Sequence, residues 1–406
     1  YPAIVCCVCD ITSDMIQKEQ MFVNVCDSSP LFARTMSKEK THVAQLLSEA
    51  GIEINGPAAS DICVFDERLY GCVLSGGSLA LGESYMDGWW EAQTLDQFFY
   101  KILSARLDAK VRFSFADALT FAKALVLNLQ SPLRSFQIGK QHYDIGNDLY
   151  LAMLDARLTY TCGYWKNVQT LDDAQEAKLD LVCRKIGLKS GDHVLDIGCG
   201  WGSFLKFAAE KYGARGTGST VSKNQLTLGG ELCKNFPIDI RLEDYRQTQG
   251  EFDHAVSLGM FEHVGVKNYR TFMKTAHRLL KDDGLFLLHT IGGNRSVRST
   301  DPWIAKYIFP NSMLPSIAQI ARSVEGLFLI EDWHNFGADY DKTLMAWFDN
   351  FDGQWPSLKT KYSDRFYRMW KYYLLSCAGA FRARQIQLWQ IVFSKRGVAG
   401  GYEAKR

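Results

Sequence analysis

The chain has 406 residues, of which 47% are hydrophobic and 22% are charged. This composition is typical of a folded globular protein and excludes a disordered chain, a collagen and a small disulfide scaffold. The 46 lysines and arginines are balanced by 45 aspartates and glutamates, so no global basic field for nucleic acid is present. The length predicts two to three domains.

Residues 1–35 are expected to be an N-terminal extension, whose origin is uncertain: a remnant of processing or a wrong gene start. The chain begins at a tyrosine, whereas Met36 resembles an initiator and precedes a good helix start. The only Cys-x-x-Cys spacing, Cys6 to Cys9, has no second pair to complete a metal site, which favours chance. The apolar run 3–8 has no basic residue before it and does not resemble a signal peptide.

Helical periodicity dominates the next part of the chain. Apolar residues recur at helical spacing from Val43, and Gly51 is expected to end that helix. A short irregular region is expected to follow, ending in 75–78 (SGGS). Thr94 and Gln97 then form a capping-box pattern in front of another apolar helical face.

These patterns predict a small, mainly helical first domain at 36–125 and a linker at 126–140. A further helix is predicted at 115–129, apolar on most sides and therefore a candidate for membrane contact. The longest stretch without a charged residue, 307–321, is too short for a spanning helix, which needs about 20 residues. A protein of this kind that acts on lipid is expected at the membrane surface.

Strands and helices alternate from residue 141, which predicts a catalytic domain at 141–400. The predicted strands are 193–197, 214–218, 238–242, 255–258 and 285–289. The predicted helices include 203–212, a helix opened by a capping box at Ser222 and Gln225, and one near 269–280. This alternation predicts an α/β fold with a Rossmann-like, doubly wound, mostly parallel sheet. The last residues, 397–406, are expected to form a frayed tail.

The predicted strand 193–197 runs into a glycine-rich turn, 198–202 (GCGWG), that opens a helix. Glycines let the backbone approach a ligand, and the helix N-terminus offers free N–H groups. The spacing differs from the dinucleotide fingerprint, and 219–222 (STVS) supplies no carboxylate for a ribose. With Asp196 in front, the pattern is typical of S-adenosylmethionine-dependent methyltransferases, the alternative being a tight turn without a ligand.

Further motifs occur together with 194–202 (VLDIGCGWG) in one colinear register. They are 82–91 (GESYMDGWWE), 142–147 (HYDIGN), 160–162 (YTC), 259–265 (GMFEHVG), 288–292 (LHTIG), 331–340 (EDWHNFGADY) and 377–382 (CAGAFR). From about residue 40 to 395 the chain resembles the cyclopropane-fatty-acyl-phospholipid synthases. Its N-terminal motif is similar to the bacterial two-domain members, whereas the mycolic-acid cyclopropane synthases share only the catalytic half.

The resemblance implies a lipid-modifying reaction. A methylene from S-adenosylmethionine is added to the cis double bond of an unsaturated phospholipid, through a carbocation that a bound bicarbonate deprotonates. It also implies a cytoplasmic, peripheral enzyme on the inner face of the membrane, a homodimer, and a lipid-binding N-terminal domain. A related methyltransferase that leaves a methyl or methylene branch is the alternative.

The resemblance also implies the site residues. The bicarbonate site is expected at Cys162, Glu262, His289 and Tyr340, with the backbone of Ile291. The cofactor is expected at Tyr160, Thr161, Gly198, Gly200, Val221, Gln225, Tyr245 and Gly259. The chain departs from the family in being glycine-rich at 216–219 and 227–230, which predicts lower local stability, since glycine costs about 1 kcal/mol in a helix interior.

Other interpretations fit the residues less well. A hydrolase triad of Cys162, His289 and Glu262 would leave the glycine-rich turn unexplained, and the cysteine lies on no recognisable nucleophile turn. No zinc spacing is present, so no metal site is predicted. A non-catalytic module would bind cofactor without turnover, and a nucleic-acid methyltransferase would need a basic face that the net charge does not indicate.

Overall fold

The computed structural model describes residues 37–107 and 146–406. The predicted extension 1–35, the predicted helix 115–129 and the predicted linker 126–140 lie outside these residues. Within the described part of the chain, no helix is both long and apolar enough to cross a bilayer.

Within residues 37–107, the N-terminal region has three helices and a two-stranded sheet. Its elements are α1 (Lys38–Glu49), β1 (Cys63–Val64), α2 (Arg68–Met86), β2 (Trp90–Glu91) and α3 (Leu95–Ser104). Gly51 follows α1 with φ of 64°, which agrees with the predicted helix end. The predicted irregular region at 75–78 is instead part of α2, which kinks at Gly77 (φ 56°, ψ −138°). The predicted capping box is also wrong, because Thr94 precedes α3 without a side-chain capping bond.

The larger region alternates strands and helices. Its helices are α4 (Asn147–Met153), α5 (Leu171–Lys185), α6 (Ser203–Tyr212), α7 (Lys223–Cys233), α8 (Tyr269–Leu279), α9 (Pro302–Tyr307), α10 (Ile317–Val324), α11 (Ala338–Leu358) and α12 (Asp364–Arg382). Its strands are β3 (His193–Ile197), β4 (Arg215–Thr220), β5 (Ile238–Leu242), β6 (His254–Leu258), β7 (Leu285–Gly293), β8 (Leu329–Asn335) and β9 (Ile386–Ser394).

These seven strands form one sheet in the order β5-β4-β3-β6-β7-β9-β8. The first five run parallel, and β9 pairs antiparallel with both β7 and β8. The predicted doubly wound, mostly parallel sheet after a helical region is therefore confirmed. The chain reverses its direction of winding between β3 and β6, and the crevice at such a switch point is where this architecture binds ligands.

The glycines of β4 are a packing requirement of the sheet. A Cβ on Gly216 would lie 2.9 Å from Leu205 Cδ2, and one on Gly218 would lie 2.6 Å from Cys199 Sγ. Glycine at these positions lets α6 approach the strand, so the predicted loss of local stability is offset there. Gly230, in α7, has open space around it, so only the propensity cost remains at that position.

The N-terminal region shares a hydrophobic core with α11 and α12. At the contact of α3 with α12, a Cβ on Gly379 would lie 2.7 Å from Phe99 Cβ and 2.8 Å from the Asp96 carbonyl oxygen. Arg382 of α12 donates to the carboxylates of Asp96, at 2.6 Å, and Asp341, at 2.8 Å. The two regions are therefore joined by close backbone packing and by a bridging arginine.

The C-terminal residues 397–406 are irregular, but the prediction of a frayed tail is wrong. Tyr402 Oη donates to the carbonyl oxygen of Lys185 at 2.8 Å. The Arg406 guanidinium donates to both carboxylate oxygens of Asp332, each at 2.6 Å. These contacts dock the tail on the end of α5 and on β8.

The tight contact at Gly379 predicts a specific stability loss. Gly379→Ala should destabilise the protein by about 1–3 kcal/mol, because the new methyl group meets backbone atoms of α3 that cannot move alone. The matched control is Gly353→Ala in α11, where no atom lies within 4 Å, and it should leave stability unchanged or raise it by up to about 1 kcal/mol. Urea unfolding of both variants measures the difference, and equal midpoints would contradict the packing described.

Candidate active site

A cavity of about 1190 Å³, open solvent at its mouth included, lies at the carboxyl end of β3. The loop from β3 to α6 forms one wall, and Gly198, Gly200 and Gly202 there have φ of 85°, 55° and 81°. Residues other than glycine rarely adopt such φ values. A Cβ on Gly198 would also lie 2.8 Å from Met260 Cβ, so the loop and the segment after β6 approach each other as closely as glycine permits.

All eight predicted cofactor residues line this one cavity: Tyr160, Thr161, Gly198, Gly200, Val221, Gln225, Tyr245 and Gly259. Ser222 caps α7 by accepting a hydrogen bond from Gln225 N–H at 3.3 Å. The Gln225 side chain accepts from Thr220 Oγ1 at 2.8 Å, so only half of the predicted capping box forms. The Gln225 side chain instead contacts Thr220, and both residues line the cavity.

A buried lysine that the sequence analysis did not single out also lines the cavity. Lys178 of α5 is fully buried, and its Nζ donates to Thr161 Oγ1 at 2.6 Å. Burial lowers the pKa of Lys178 to about 8, against the opposing charges of the Asp155 and Asp196 carboxylates. No local pattern in the sequence indicates this burial, because the tertiary fold decides whether a lysine is buried.

Asp196, from the glycine-rich motif, faces the same cavity. Burial raises the pKa of Asp196 to about 7, and the charge of Lys178 opposes that shift. Its Oδ1 is buried without a hydrogen-bond partner in the described part of the chain. The cavity therefore carries both an amine and a carboxyl group that a zwitterionic ligand can use.

Glu262 lies on a short 3-10 turn, Phe261–His263, just after β6. Its Oε1 accepts a hydrogen bond from Ile291 N–H of β7 at 2.6 Å, and its backbone oxygen accepts from Met313 N–H at 2.8 Å. Burial raises the pKa of Glu262 to about 7, although the bond from Ile291 opposes the shift. Glu262 Oε2 is buried and has no partner among the described residues.

His289 is buried on β7, directly opposite Gln390 of β9. The Gln390 side-chain amide, as placed, donates to His289 Nδ1 at 3.3 Å, so the imidazole proton lies on Nε2. Burial, and then the charges of Lys178 and Lys185, hold the pKa of His289 well below its usual range. His289 Nε2 is buried without a partner in the described chain, which leaves a neutral donor available.

Cys162 is fully buried on the loop before α5, and its thiol donates to the Gly163 carbonyl oxygen at 3.1 Å. Thr343 of α11 holds this loop, since its Oγ1 accepts from Gly163 N–H at 3.1 Å and from Trp165 Nε1 at 2.9 Å. Burial raises the pKa of the Cys162 thiol well above its usual range, so the sulfur stays protonated. Thr343 was not predicted, because its role depends on contacts far apart in the sequence.

Tyr340 lies one helical turn before Thr343 on α11, and its ring stacks on Phe381 at a centroid distance of 4.6 Å. Burial raises the pKa of Tyr340 well above its usual range, and the nearby Cys162 and Glu262 raise it further. Tyr340 is therefore a neutral hydroxyl close to both groups.

We refer to the five predicted catalytic residues, Cys162, Glu262, His289, Ile291 and Tyr340, as the buried polar site. They do not line the cavity but lie beside it. Tyr160 and Thr161 line the cavity, whereas Cys162, the next residue, is in the buried site. Gly259, another cavity residue, donates its N–H to the His289 carbonyl oxygen at 2.9 Å. The cavity and the buried polar site are therefore connected twice, through the segment 160–162 and through the bond between Gly259 and His289.

In the described chain no group of three or more His, Cys, Asp or Glu residues is placed to hold a metal ion.

Comparisons with known proteins agree with this geometry. The family model for mycolic acid cyclopropane synthetase matches residues 130–391. The chain is 53% identical over 362 residues to the cyclopropane-fatty-acyl-phospholipid synthase of Escherichia coli K12, covering 89% of this chain and 94% of that protein.

Two solved structures are also similar. The mycolic acid cyclopropane synthase CmaA1, in complex with SAH and CTAB, aligns with a TM-score of 0.60 and 33% identity over 64% of this chain and 98% of that one. The cyclopropane synthase MmaA2 from Mycobacterium tuberculosis aligns with a TM-score of 0.61 and 31% identity over the same shares.

The fold and the cofactor cavity define an S-adenosylmethionine-dependent methyltransferase. Within that class, the chain belongs to the cyclopropane synthase family, which confirms the resemblance seen in the sequence motifs.

The buried lysine generates a prediction about cofactor binding. Lys178→Met should weaken the binding of S-adenosylmethionine about 10-fold, because Thr161 loses a charge-assisted hydrogen bond worth roughly 1.5–3 kcal/mol. The control is Lys211→Met, which removes an exposed lysine from the last turn of α6 and should leave binding unchanged. Titration calorimetry measures both, and wild-type affinity in Lys178→Met would show that Lys178 has no part in the cofactor site.

Proposed function

We propose that this protein adds a methylene group from S-adenosylmethionine to the cis double bond of an unsaturated phospholipid acyl chain, forming a cyclopropane ring. The observation that supports this most is the pair of unpaired buried atoms, Glu262 Oε2 and His289 Nε2, beside the cofactor cavity. The name of the Escherichia coli relative, a cyclopropane-fatty-acyl-phospholipid synthase, supports the substrate class.

The first step needs position and dryness more than a base. An alkene has no acidic proton, so it takes the methyl group only if it is held in line with the cofactor and water is kept out. Such positioning supplies roughly 7–11 kcal/mol. The ring of Tyr160 lies 5.1 Å from that of Trp347 and 5.2 Å from that of Tyr150, and aromatic faces stabilise a desolvated cation by about 2 kcal/mol each. Orientation is therefore the larger effect, and the aromatic wall is secondary.

The second step needs a base, and the buried polar site fits bicarbonate. Leaving a buried donor or acceptor unpaired costs about 1–3 kcal/mol, and this applies to both Glu262 Oε2 and His289 Nε2. Cys162, His289 and Tyr340 are all neutral donors, whereas Glu262 is an acceptor; this set matches an anion that also carries one O–H group. When bound, bicarbonate supplies the base for the proton that leaves the transferred methyl group.

Each residue then has a proposed role. His289 and Tyr340 donate to the anion, and Glu262 accepts its O–H. The Cys162 thiol, which donates to the Gly163 carbonyl oxygen in the structure, turns to donate to the anion. With a pKa of about 7, Glu262 also holds a proton readily at neutral pH, which limits repulsion between two negative charges. Ile291 was expected to face the anion, but its N–H donates to Glu262, so its proposed role is to orient the carboxyl group.

We also propose the cellular setting that the family resemblance implies. The enzyme is placed on the inner face of the membrane as a peripheral, cytoplasmic homodimer, and region 36–125 is assigned to lipid binding. Sedimentation velocity tests the dimer, since a single species of about twice 46.0 kDa is expected.

Product analysis tests the reaction. The purified protein is incubated with S-adenosylmethionine and vesicles of cis-unsaturated phospholipid, with and without bicarbonate, and the fatty-acid methyl esters are separated by gas chromatography with mass spectrometry. A cyclopropane product that falls when bicarbonate is removed is expected. A methyl- or methylene-branched product would show that the methyl group is transferred but that no ring closes, which would overturn the last step. Cofactor binding without any lipid product would overturn the whole proposal.

Glu262→Gln tests the role of the carboxyl group in that assay. The amide oxygen can still accept from Ile291 N–H, but the amide nitrogen can neither accept an O–H nor take up a proton. Ring formation should fall about 100-fold, whereas the affinity for S-adenosylmethionine should stay close to that of the wild type. Glu325→Gln, an exposed carboxylate, is the control, and unchanged turnover in Glu262→Gln would exclude the assigned role.

A further inference from the structure

Three exposed aliphatic side chains lie on the segments that carry the buried polar site. Val266 is 37% exposed, Val297 is 40% exposed and Ile317 is 56% exposed. Val266 closely follows the turn that holds Glu262, and Val297 follows the strand that holds Ile291. Ile317 is the first residue of α10, so three separate segments each present one apolar side chain.

Hydrogen bonds hold these segments side by side. Ser296 and Ser316, the neighbours of Val297 and Ile317 in the chain, share a hydrogen bond of 2.7 Å between their hydroxyl groups. Met313 N–H donates to the Glu262 backbone oxygen at 2.8 Å, which ties the segment before α10 to the turn before Val266. These contacts join the three segments that carry the exposed aliphatic residues.

Positive charge accompanies this apolar surface. Arg295 and Arg298 flank Val297, and both are exposed. Neither forms an ion pair with a carboxylate of the described residues. The nearest acidic residue in the chain, Asp301, is engaged in capping α9. We name the group the basic–aliphatic patch; its members are Val266, Arg295, Val297, Arg298 and Ile317.

We propose that the basic–aliphatic patch docks the enzyme onto the surface of a bilayer that contains anionic phospholipid. Each arginine near such a surface contributes attraction to the lipid phosphates, and the aliphatic side chains can enter the interface between them. The inference rests on the proposed function, because only a lipid substrate requires the site to approach a bilayer. It assigns that approach to the carboxyl end of β7.

The other exposed aliphatic pair in the sheet provides a contrast. Leu329 and Ile330 of β8 are 50% and 43% exposed. Leu329 lies opposite Ser394, which lies opposite Leu285, the first residue of β7. The patch follows the last residue of that nine-residue strand, so the two surfaces are separated by about 27 Å along the strand direction.

Vesicle co-sedimentation tests the proposal. The full chain is mixed with vesicles of phosphatidylcholine alone or with phosphatidylglycerol added. Two double variants are compared with the wild type, Arg295→Glu with Arg298→Glu and Val297→Asp with Ile317→Asp. Each should lose at least about 10-fold in binding to the anionic vesicles. The controls, Arg215→Glu at the start of β4 and Leu329→Asp, lie at the opposite end of the sheet and should bind within about twofold of the wild type.

A second readout separates this inference from the proposed function. Turnover on unsaturated phospholipid dispersed in detergent should be unchanged in the patch variants. If that turnover is present but the patch variants bind vesicles like the wild type, docking is overturned and the function stands. If the patch variants lose vesicle binding but no variant or wild type makes a lipid product, docking stands and the function fails. A change from dimer to monomer with vesicle binding retained would assign the patch to contacts between copies and overturn docking.

Discussion

The hydrogen bond from Ile291 N–H to the Glu262 carboxyl group, 2.6 Å long, fixes the arrangement of the buried polar site. It joins the turn after β6 to β7 and engages one carboxyl oxygen, leaving the other without a partner in the described chain. Burying a carboxyl group in this way is costly, and the cost appears as a pKa raised to about 7. The unpaired oxygen is the atom that the proposed bicarbonate would contact.

The rest of the fold brings this carboxyl group next to the cavity that the predicted cofactor residues line. The sheet places β3 and β6 side by side at the switch point, so the glycine-rich loop and the Glu262 turn emerge at the same edge. The segment 160–162 runs from the cavity to the buried polar site. Lys178 donates to Thr161 in this segment, and Thr343 accepts from the N–H of the next residue, Gly163. The cavity and the buried polar site are therefore only one residue apart in the chain, at Thr161 and Cys162.

The sequence predicted correctly the elements that neighbouring residues determine. The strand, glycine turn and helix from 193 to 212 are encoded by neighbouring residues, and the structure reproduces them. Sequence patterns did not predict β8 and β9, because antiparallel pairing at the sheet edge depends on partners up to about a hundred residues away. The buried role of Lys178 was likewise hidden, since burial of a lysine is decided by the tertiary fold. Docking of 397–406 depends on Arg406 finding Asp332, which no local pattern reveals.

Glu262 is a buried carboxyl group with a pKa of about 7, and its proposed ligand is bicarbonate. The most direct measurement is the infrared difference spectrum of wild type against Glu262→Gln, recorded from pH 5 to pH 9 with and without bicarbonate. A protonated-carboxyl band that is present at low pH, disappears near pH 7 and shifts when bicarbonate is added is the predicted result. A Glu262 that is fully ionised at pH 5, or a band that bicarbonate does not affect, would contradict the account.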